Sequence, residues 1–365
     1  MKTTLLTISL LITLFLMSCT NSQPKQYNTN NPNIRYAGHI EKLDNEVILI
    51  NSGSSATIYF EGDTCVLFLR NHNQNELYNF FSIELDDEDL GRFIIDGNEM
   101  IAIPIAINFQ KDIHKVSVYK STEASNGYIN FGGILCQKVV EPAPAFEKTI
   151  EFIGNSITCG MGNDTLLIAC HTNQWYDQHN AYWAYGPTVS RALKVNFLLS
   201  SVSGIGIYRN WNDVGLTMPE VYENLYLDNN SNQKRDFSLH SPNIVSIALG
   251  TNDFSDGDGV NERLPFDEKE FIETYITFVA TVLSYYPKTQ IALLNSPMLK
   301  DEKNEQFIKC LKAVKKHFEG SNYKPFAIFE FESFEPQGCD YHPEINDHLL
   351  MADQLYNFYS ELLKD

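Results

Sequence analysis

The hydrophobic pattern of this chain changes its period near residue 145, and this change constrains the fold more than any other feature. From about residue 40 to 140 the apolar residues form short runs bounded by Gly, Asn and Asp. Short strands at intervals of roughly 8–12 residues are typical of a sandwich or jelly roll. No helical pattern appears in this half, and we predict an all-β sandwich (jelly-roll) domain over residues 36–140.

In the C-terminal part, short apolar runs alternate with longer amphipathic patterns. Four runs suit buried parallel strands: TIEFIG, VNFLLSS, NIVSIALG and QIALLNS. Between the last two, Phe271, Tyr275, Phe278 and Val282 recur at steps of three and four, and Pro287 ends the run. Alternating strands and helices predict a parallel sheet covered by helices on both faces, over residues 149–365. The segment between the two domains, 141–148, reads EPAPAFEK and is predicted to be a stiff linker.

The chain begins with MKTTLLTISLLITLFLMSC, one Lys followed by an apolar run. The run is too short for a secure membrane span and is typical of a secretory signal. Its end, LMSC, resembles the lipobox of bacterial lipoproteins, which implies a signal peptide over 1–18 and lipidation of Cys19. The protein would then be an exported lipoprotein of the bacterial cell envelope, facing the periplasm or the cell surface. Cleavage at another small residue, giving a soluble secreted protein, is the alternative. The polar residues 19–35 are predicted to form a flexible tether.

The net charge of the chain bears on the partners that it can bind. The formal net charge is -19, with 46 acidic and 27 basic side chains and no basic cluster. Binding nucleic acid needs clustered cations, so neutral partners such as sugars fit this balance better.

The six cysteines besides Cys19 allow 15 full pairings, among which the sequence cannot choose. None shows CxxC spacing, and we predict no metal site.

The motif GNSIT follows the first predicted parallel strand and contains Ser156. Reactive sites of parallel α/β sheets lie at the carboxyl ends of the strands, so Ser156 is a candidate nucleophile. It would need a base in reach and donors for the oxyanion that forms. The hydrolase elbow GxSxG is absent, because Thr158 occupies its last glycine position. The alternative is that Ser156 only caps the helix that follows.

Three further motifs offer the groups that such a nucleophile needs. Asn252, in GTND, carries an amide that could donate to an oxyanion at any pH, although an Asx turn is the alternative. Gly204, in SGIGIYRNW, could present its backbone N–H to a substrate oxygen, or belong to a generic glycine loop. His342, in GCDYHPE, could act as general base and Asp340 could orient its imidazole, the alternative being a structural histidine.

Together the four motifs resemble those of the SGNH or GDSL hydrolase superfamily, in the same order and with similar spacing. The resemblance implies a flavodoxin-like sheet with helices on both faces. It also implies that Ser156 is the nucleophile and His342 the base. The oxyanion would be held by the backbone N–H groups of Ser156 and Gly204 and by the side chain of Asn252.

Two positions depart from the superfamily pattern. Asn155 stands where Asp is usual, and Cys339 stands where an Asp three residues before the histidine is common. The arrangement of Asp340 two residues before His342 is similar to the acetyl xylan esterases of carbohydrate esterase family 2. The segments NAYWAYGPTVSRAL and SGIGIYRN and the strands of an N-terminal jelly roll also resemble that family. Since some relatives work with a Ser-His dyad, the resemblance leaves the role of Asp340 open.

The implied reaction is hydrolysis of acetyl esters on carbohydrate, such as xylan or another hemicellulose, through an acyl-enzyme and without metal or organic cofactor. Tyr341 and Trp211 would pack against sugar rings, with core packing as the alternative. Two other functions stay open from the sequence. One is an SGNH esterase or lipase that acts on a different ester. The other is a non-catalytic glycan-binding surface lipoprotein.

Overall fold

The computed structural model describes residues 23–72, 78–107, 111–212 and 214–364. Within these ranges the chain forms an antiparallel β domain followed by an α/β domain. The predicted signal peptide over 1–18 and the predicted lipidation site Cys19 lie outside the described residues. In the described part of the chain, no helix has both the length and the apolar character that a membrane span requires.

In the described residues, ten hydrogen-bonded strands build the N-terminal domain, which we call the β domain. They are β1 (Lys25–Tyr27), β2 (Arg35–Ala37), β3 (Ile40–Lys42), β4 (Val47–Leu49), β5 (Ser55–His72), β6 (Asn79–Leu85), β7 (Glu88–Ile95), β8 (Ile101–Ile105), β9 (His114–Lys120) and β10 (Tyr128–Val139). The long β5 is the centre of this domain: it pairs with β10 over most of its length, with β9 at its start and with β8 further on. Its alternate side chains enter an apolar core that includes Phe60, Leu67 and Phe131.

The ordered β domain begins earlier than the sequence predicts. Strand β1 pairs antiparallel with residues 134–136 of β10, and β2 begins at Arg35 and pairs with β5. The prediction of a flexible tether over 19–35 is therefore wrong from Lys25 onward. Pairing at a sheet edge uses main-chain hydrogen bonds, which a polar segment makes as readily as an apolar one.

The C-terminal domain contains a five-stranded parallel sheet. Its strands are β11 (Thr149–Gly154), β12 (Asn196–Ser201), β13 (Ile244–Ala248), β14 (Gln290–Leu294) and β15 (Ala327–Phe329). The spatial order is β12-β11-β13-β14-β15. Numbered along the chain this is 2-1-3-4-5, the doubly wound flavodoxin-like order that the resemblance implies.

Six α-helices accompany this sheet in the described residues. They are α1 (Ser156–Cys159), α2 (Tyr185–Leu193), α3 (Met218–Val221), α4 (Glu268–Tyr285), α5 (Asp301–His317) and α6 (Ile345–Leu362). Residues of α2 and α6 pack on one face of the sheet, and residues of α4 and α5 pack on the other. The helical periodicity seen in the sequence is confirmed for α4, where Phe271, Tyr275, Phe278 and Val282 are all buried.

The β domain packs against the carboxyl end of β12. The side-chain amide of Asn51 donates to the carbonyl oxygens of Leu199 and Ser201, at 3.4 and 3.2 Å. The N–H of Ala181 in turn donates to the carbonyl of Ser121 at 3.0 Å. Because reactive groups gather at the carboxyl ends of parallel strands, the β domain lies directly beside the place where a site is expected.

Candidate active site

The carboxyl ends of the three central strands lie side by side. Gly154 at the end of β11 pairs with Ser201 of β12 on one side and with Ala248 of β13 on the other. The loops that follow these three strands carry Ser156, Gly204 and Asn252. The parallel register therefore brings to one edge of the sheet three motifs that are far apart along the chain.

Ser156 is the first residue of the one-turn helix α1. The side-chain oxygen of Asn155, rather than that of Ser156, accepts the N–H of Ile157 at 3.1 Å and caps the helix. The alternative in which Ser156 is the cap is therefore wrong. Its hydroxyl oxygen lies 2.8 Å from Nε2 of His342, within hydrogen-bond distance.

The imidazole of His342 is oriented by the main chain. Its Nδ1 lies 2.7 Å from the carbonyl oxygen of Asp340. A carbonyl oxygen can only accept a hydrogen bond, so Nδ1 carries the proton and Nε2 presents its lone pair to the hydroxyl of Ser156. This is the tautomer that a general base for Ser156 requires.

The predicted role of Asp340 needs a correction. Its carboxylate does not contact His342 but lies 3.4 Å from Nδ1 of His171, a histidine that the sequence analysis did not assign. The carboxylate is also 43% exposed. Asp340 thus orients the imidazole through its backbone oxygen, because the left-handed backbone at Asp340 (φ 53°) and Tyr341 (φ 59°) turns that carbonyl back toward the ring.

A disulfide fixes the loop that carries His342. Cys339 is bonded to Cys170, 169 residues earlier, with the two Cα atoms 5.5 Å apart. The N–H of Cys339 donates to the carbonyl of Gly162 at 2.9 Å, and the N–H of Gly338 donates to the carbonyl of His342 at 2.8 Å. The sequence left the cysteine pairing open; in the described part of the chain the structure has one disulfide, between Cys170 and Cys339. Four cysteines there are buried free thiols: Cys65, Cys136, Cys159 and Cys310.

Burial keeps the base in its neutral form. Desolvation of the half-buried imidazole lowers the pKa of His342 below its usual value. The hydrogen bond to the Asp340 carbonyl acts in the opposite direction and raises the pKa, because it favours the protonated ring. The nearby His179 lowers the pKa further. At neutral pH the ring can therefore accept a proton from Ser156.

The three predicted oxyanion donors differ in how they are held. Gly204 has a φ of +76°, and a Cβ there would meet no heavy atom within 4 Å, so its backbone borders open space. The side-chain amide of Asn252 donates one hydrogen to the carbonyl of Ile205 at 2.8 Å, which leaves its second hydrogen for a ligand. Within the described residues, no acceptor pairs with the N–H of Ser156 or of Gly204.

Asp253 is a residue that the sequence analysis missed. Its fully buried carboxylate accepts the backbone N–H groups of Ile207, Tyr208 and Arg209 at 2.9–3.2 Å. Burial raises the pKa of Asp253 to about 6, although these N–H donors favour the ionised form. Together with Asn252 it ties the loop after Gly204 to the end of β13. The only signal for Asp253 in the sequence was its position directly after Asn252, the predicted oxyanion donor.

Two aromatic side chains border the site. Tyr341, next to His342, is 85% exposed, and Trp211 is 45% exposed. The N–H of Trp211 donates to the carbonyl of Gly204 at 2.8 Å, so its backbone adjoins the oxyanion loop. The alternative that these rings pack in the core is wrong, and their role in binding stays a prediction.

The arrangement is suited to acyl transfer. A hydroxyl held against a neutral imidazole, with N–H donors beside it, can attack an ester carbonyl and stabilise the resulting oxyanion. Among the described residues there is no group of three His, Cys, Asp or Glu side chains that could hold a metal ion. A flavodoxin-like sheet with a Ser-His pair at its carboxyl edge defines the class of protein as an SGNH-type serine hydrolase.

Comparison with family models identifies the family. Residues 150–361, more than half of the chain, match the model of the GDSL-like lipase/acylhydrolase family. Residues 36–145 match the model described as carbohydrate esterase 2 N-terminal. The chain therefore belongs to the GDSL-like lipase/acylhydrolase family, with the N-terminal domain of carbohydrate esterase family 2, and the resemblance seen in the sequence is confirmed.

Relatives and solved structures agree with this assignment. An acetylxylan esterase/glucomannan deacetylase of Cellvibrio japonicus is 28% identical over 282 residues, covering 74% of this chain and 77% of that protein. The cellulase/esterase CelE of Acetivibrio thermocellus is 28% identical over 337 residues, 89% of this chain but 39% of that longer protein. The structure of a family two carbohydrate esterase from Clostridium thermocellum, in complex with cellohexaose, superposes with a TM-score of 0.80. It is 26% identical, and the match covers 91% of this chain and 99% of that one.

Proposed function

We propose that this protein is a serine esterase that removes O-acetyl groups from carbohydrate, such as xylan or a related hemicellulose. The observation that carries the proposal is the 2.8 Å contact between the hydroxyl of Ser156 and Nε2 of His342. The two-domain match to carbohydrate esterase family 2 and the names of the relatives support the substrate class.

The reaction proceeds by acyl transfer. As the oxygen of Ser156 attacks the acetyl carbonyl, His342 takes the hydroxyl proton on Nε2. The oxyanion accepts hydrogen bonds from the N–H groups of Ser156 and Gly204 and from the amide of Asn252. His342 then gives its proton to the sugar oxygen, which leaves as an alcohol. A water molecule, deprotonated in the same way, releases acetate and restores the serine.

The imidazolium that forms in this reaction is hydrogen-bonded to a backbone carbonyl rather than to a carboxylate. The Asp340 carbonyl accepts the Nδ1 hydrogen at 2.7 Å, and the Asp340 carboxylate points to His171 instead. The protein is therefore proposed to work with a Ser-His dyad supported by a backbone oxygen. The exposed rings of Tyr341 and Trp211 are proposed to contact the sugar, since C–H faces of sugars pack on aromatic rings.

Three substrates separate this function from its alternatives. Wild type and Ser156→Ala are incubated with acetylated xylooligosaccharides, with 4-nitrophenyl acetate and with a long-chain 4-nitrophenyl ester. The expected result is release of acetate from the sugar by wild type alone. A preference for the long chain would assign the protein to another ester. Binding of the oligosaccharide without turnover would make it a glycan-binding protein.

We also infer that the protein is exported and lipidated at Cys19. The lipobox-like LMSC supports this, and so does the disulfide between Cys170 and Cys339, because disulfides persist in oxidising compartments. The test is labelling of the expressed full chain with a radioactive fatty acid. Label in wild type and its loss in Cys19→Ala are expected, and an unlabelled wild type in the culture medium would contradict the anchor.

A further inference from the structure

A buried carboxylate of the β domain reaches the loop that carries Gly204. Glu123 lies just after β9 and is 1% exposed. Its Oε2 accepts the backbone N–H of Ser203 at 2.7 Å, and its Oε1 accepts the Ser203 hydroxyl. One side chain from the β domain therefore holds both hydrogen-bond donors of the residue that precedes Gly204.

Glu123 is itself held by its surroundings. Its carbonyl oxygen accepts a hydrogen bond from the buried Nζ of Lys120 at 2.8 Å, and Nε2 of His179 lies 3.3 Å from its Oε1. The next N–H, that of Ala124, donates to the side chain of Asn51 at 3.2 Å. Burial alone would raise the pKa of Glu123, but the hydrogen bonds and the histidine lower it overall, so the carboxylate is ionised at neutral pH.

The contact controls the direction of one proposed oxyanion donor. The N–H of Gly204 belongs to the peptide group that follows Ser203, so its direction depends on the backbone torsions of Ser203. Glu123 restrains Ser203 at both its backbone and its side chain, while the Gly204 carbonyl on the other side is held by Trp211. A donor stabilises the transition state only if it points at the position of the developing oxyanion.

We propose that Glu123 is a positioning residue of the esterase reaction, which aims the N–H of Gly204 by holding Ser203. The β domain then completes the active site of the α/β domain rather than only supporting it. This inference rests on the proposed function, because it requires that Gly204 donates to the oxyanion. The N–H of Ser203 has no other acceptor among the described residues, whereas its hydroxyl also lies 3.5 Å from the sulfur of Met161.

Two variants test the proposal, with kcat and KM measured on 4-nitrophenyl acetate and on an acetylated xylooligosaccharide. Glu123→Ala is expected to lower kcat by about 10- to 100-fold on both substrates, because a small misplacement of a catalytic group costs this much. KM is expected to change by less than about twofold, since the lost interaction exists only in the transition state. Glu123→Gln should lose less than Glu123→Ala but still about threefold or more, because its single carbonyl oxygen can accept the N–H of Ser203 while its amide NH2 cannot accept the Ser203 hydroxyl.

Glu84 provides a matched control in the same domain interface. It is also buried, and its carboxylate accepts the hydroxyl of Tyr182 at 2.9 Å and pairs with Lys115 at 2.8 Å. Glu84→Ala and Glu84→Gln should lower the Tm as the Glu123 variants do, but keep the wild-type kcat. All variants are assayed well below their Tm, so that only folded protein is compared.

Each outcome decides the proposal. If Glu123→Ala loses no more kcat than Glu84→Ala, or if its loss appears in KM, Glu123 is structural and the proposal is wrong. Should Glu123→Ala fail to fold, Glu123→Gln decides, and a wild-type kcat in that variant overturns the proposal. An inactive wild type would instead overturn the proposed function, and the role of Glu123 with it.

Discussion

The backbone oxygen of Asp340 lies 2.7 Å from Nδ1 of His342, while the carboxylate of the same residue is directed at His171, 3.4 Å away. A carbonyl oxygen selects the required tautomer of the imidazole as a carboxylate would, but it brings no full charge to stabilise the imidazolium. The orientation depends on the backbone conformation of Asp340 and not on its side chain.

Replacing the Asp340 carboxylate should therefore leave the activity nearly intact. Asp340→Asn keeps a residue that tolerates the left-handed backbone at φ 53°. We expect a kcat within a factor of about two to three of wild type, the size of an ordinary surface substitution, where a true triad would lose about 10⁴-fold. Steady-state kinetics on 4-nitrophenyl acetate checks this. A loss of a hundredfold or more would show that the carboxylate acts on His342 after all.

The pH dependence should report the buried imidazole. Desolvation lowers the pKa of His342, and the ring must be neutral to take the proton of Ser156. The neutral fraction thus persists to lower pH than for an ordinary histidine, and the acid limb of kcat/KM should have its midpoint below about 6.5. The profile is measured together with circular dichroism at each pH, so that loss of activity is not confused with unfolding. A midpoint at or above pH 7 would contradict the assignment of His342 as a desolvated base.

The sequence predicted those features that depend on local patterns. The periodicity of α4 and the four apolar runs reflect burial within each element, and the motifs around Ser156 and His342 follow or precede such elements directly. The sheet order then brings the motifs together, because parallel strands end at one edge. The resemblance of these motifs to a known superfamily supplied the roles.

What the sequence did not reveal depends on contacts between distant segments. Glu123 and Ser203 meet only because the β domain docks beside β12, and Cys170 meets Cys339 across 169 residues. No local period encodes either approach. The oxygen that orients His342 belongs to the main chain, so no residue type marks it. For the same reason the sequence predicts a tether at Lys25–Tyr27, where the structure has strand β1, which pairs with β10 through its backbone.

Loss of the disulfide should lower both stability and activity. In Cys170→Ser the loop of His342 loses its covalent link, and disulfides typically contribute about 2–4 kcal/mol to the free energy of unfolding. Because the same loop positions the base, we expect kcat to fall by about tenfold or more. Wild type treated with a phosphine reductant should behave alike, while Cys170→Ser should not respond to the reductant. Unchanged kcat in wild type, with two additional thiols titrated, would mean that the bond is not needed to position His342.

Removing the amide of Asn252 should impair the chemical step. The side chain has one hydrogen on the carbonyl of Ile205 and a second available for the oxyanion. Asn252→Ala is expected to lower kcat by about 10²–10³-fold, the usual effect of losing one oxyanion donor. Asn243→Ala is a suitable control, since Asn243 caps the start of the sheet through the N–H of Thr149, at the opposite end of the strands. If both variants keep full kcat, Asn252 is only an Asx-type loop residue.

A methyl group at Gly162 should displace the catalytic histidine loop. Gly162 has a φ of +70°, and a Cβ there would lie 2.6 Å from the carbonyl oxygen of Cys339. Gly320 has nearly the same backbone conformation, φ +77°, but a Cβ would meet nothing within 4 Å. Alanine at either position incurs the left-handed backbone cost of about 1 kcal/mol, so both variants should show a similar loss of stability from this cause.

Only Gly162→Ala adds a steric clash, between the new Cβ and the carbonyl oxygen of Cys339. The main chain at this contact cannot rotate away as a flexible side chain could. The segment from Cys339 to His342 must then shift, and a shift of about 1 Å at the base typically costs about 10²-fold in kcat. We therefore expect a large loss of kcat in Gly162→Ala and none in Gly320→Ala, with the Tm of both measured in parallel. Equal kcat in the two variants would show that the position of His342 does not depend on its contact with the loop after Ser156.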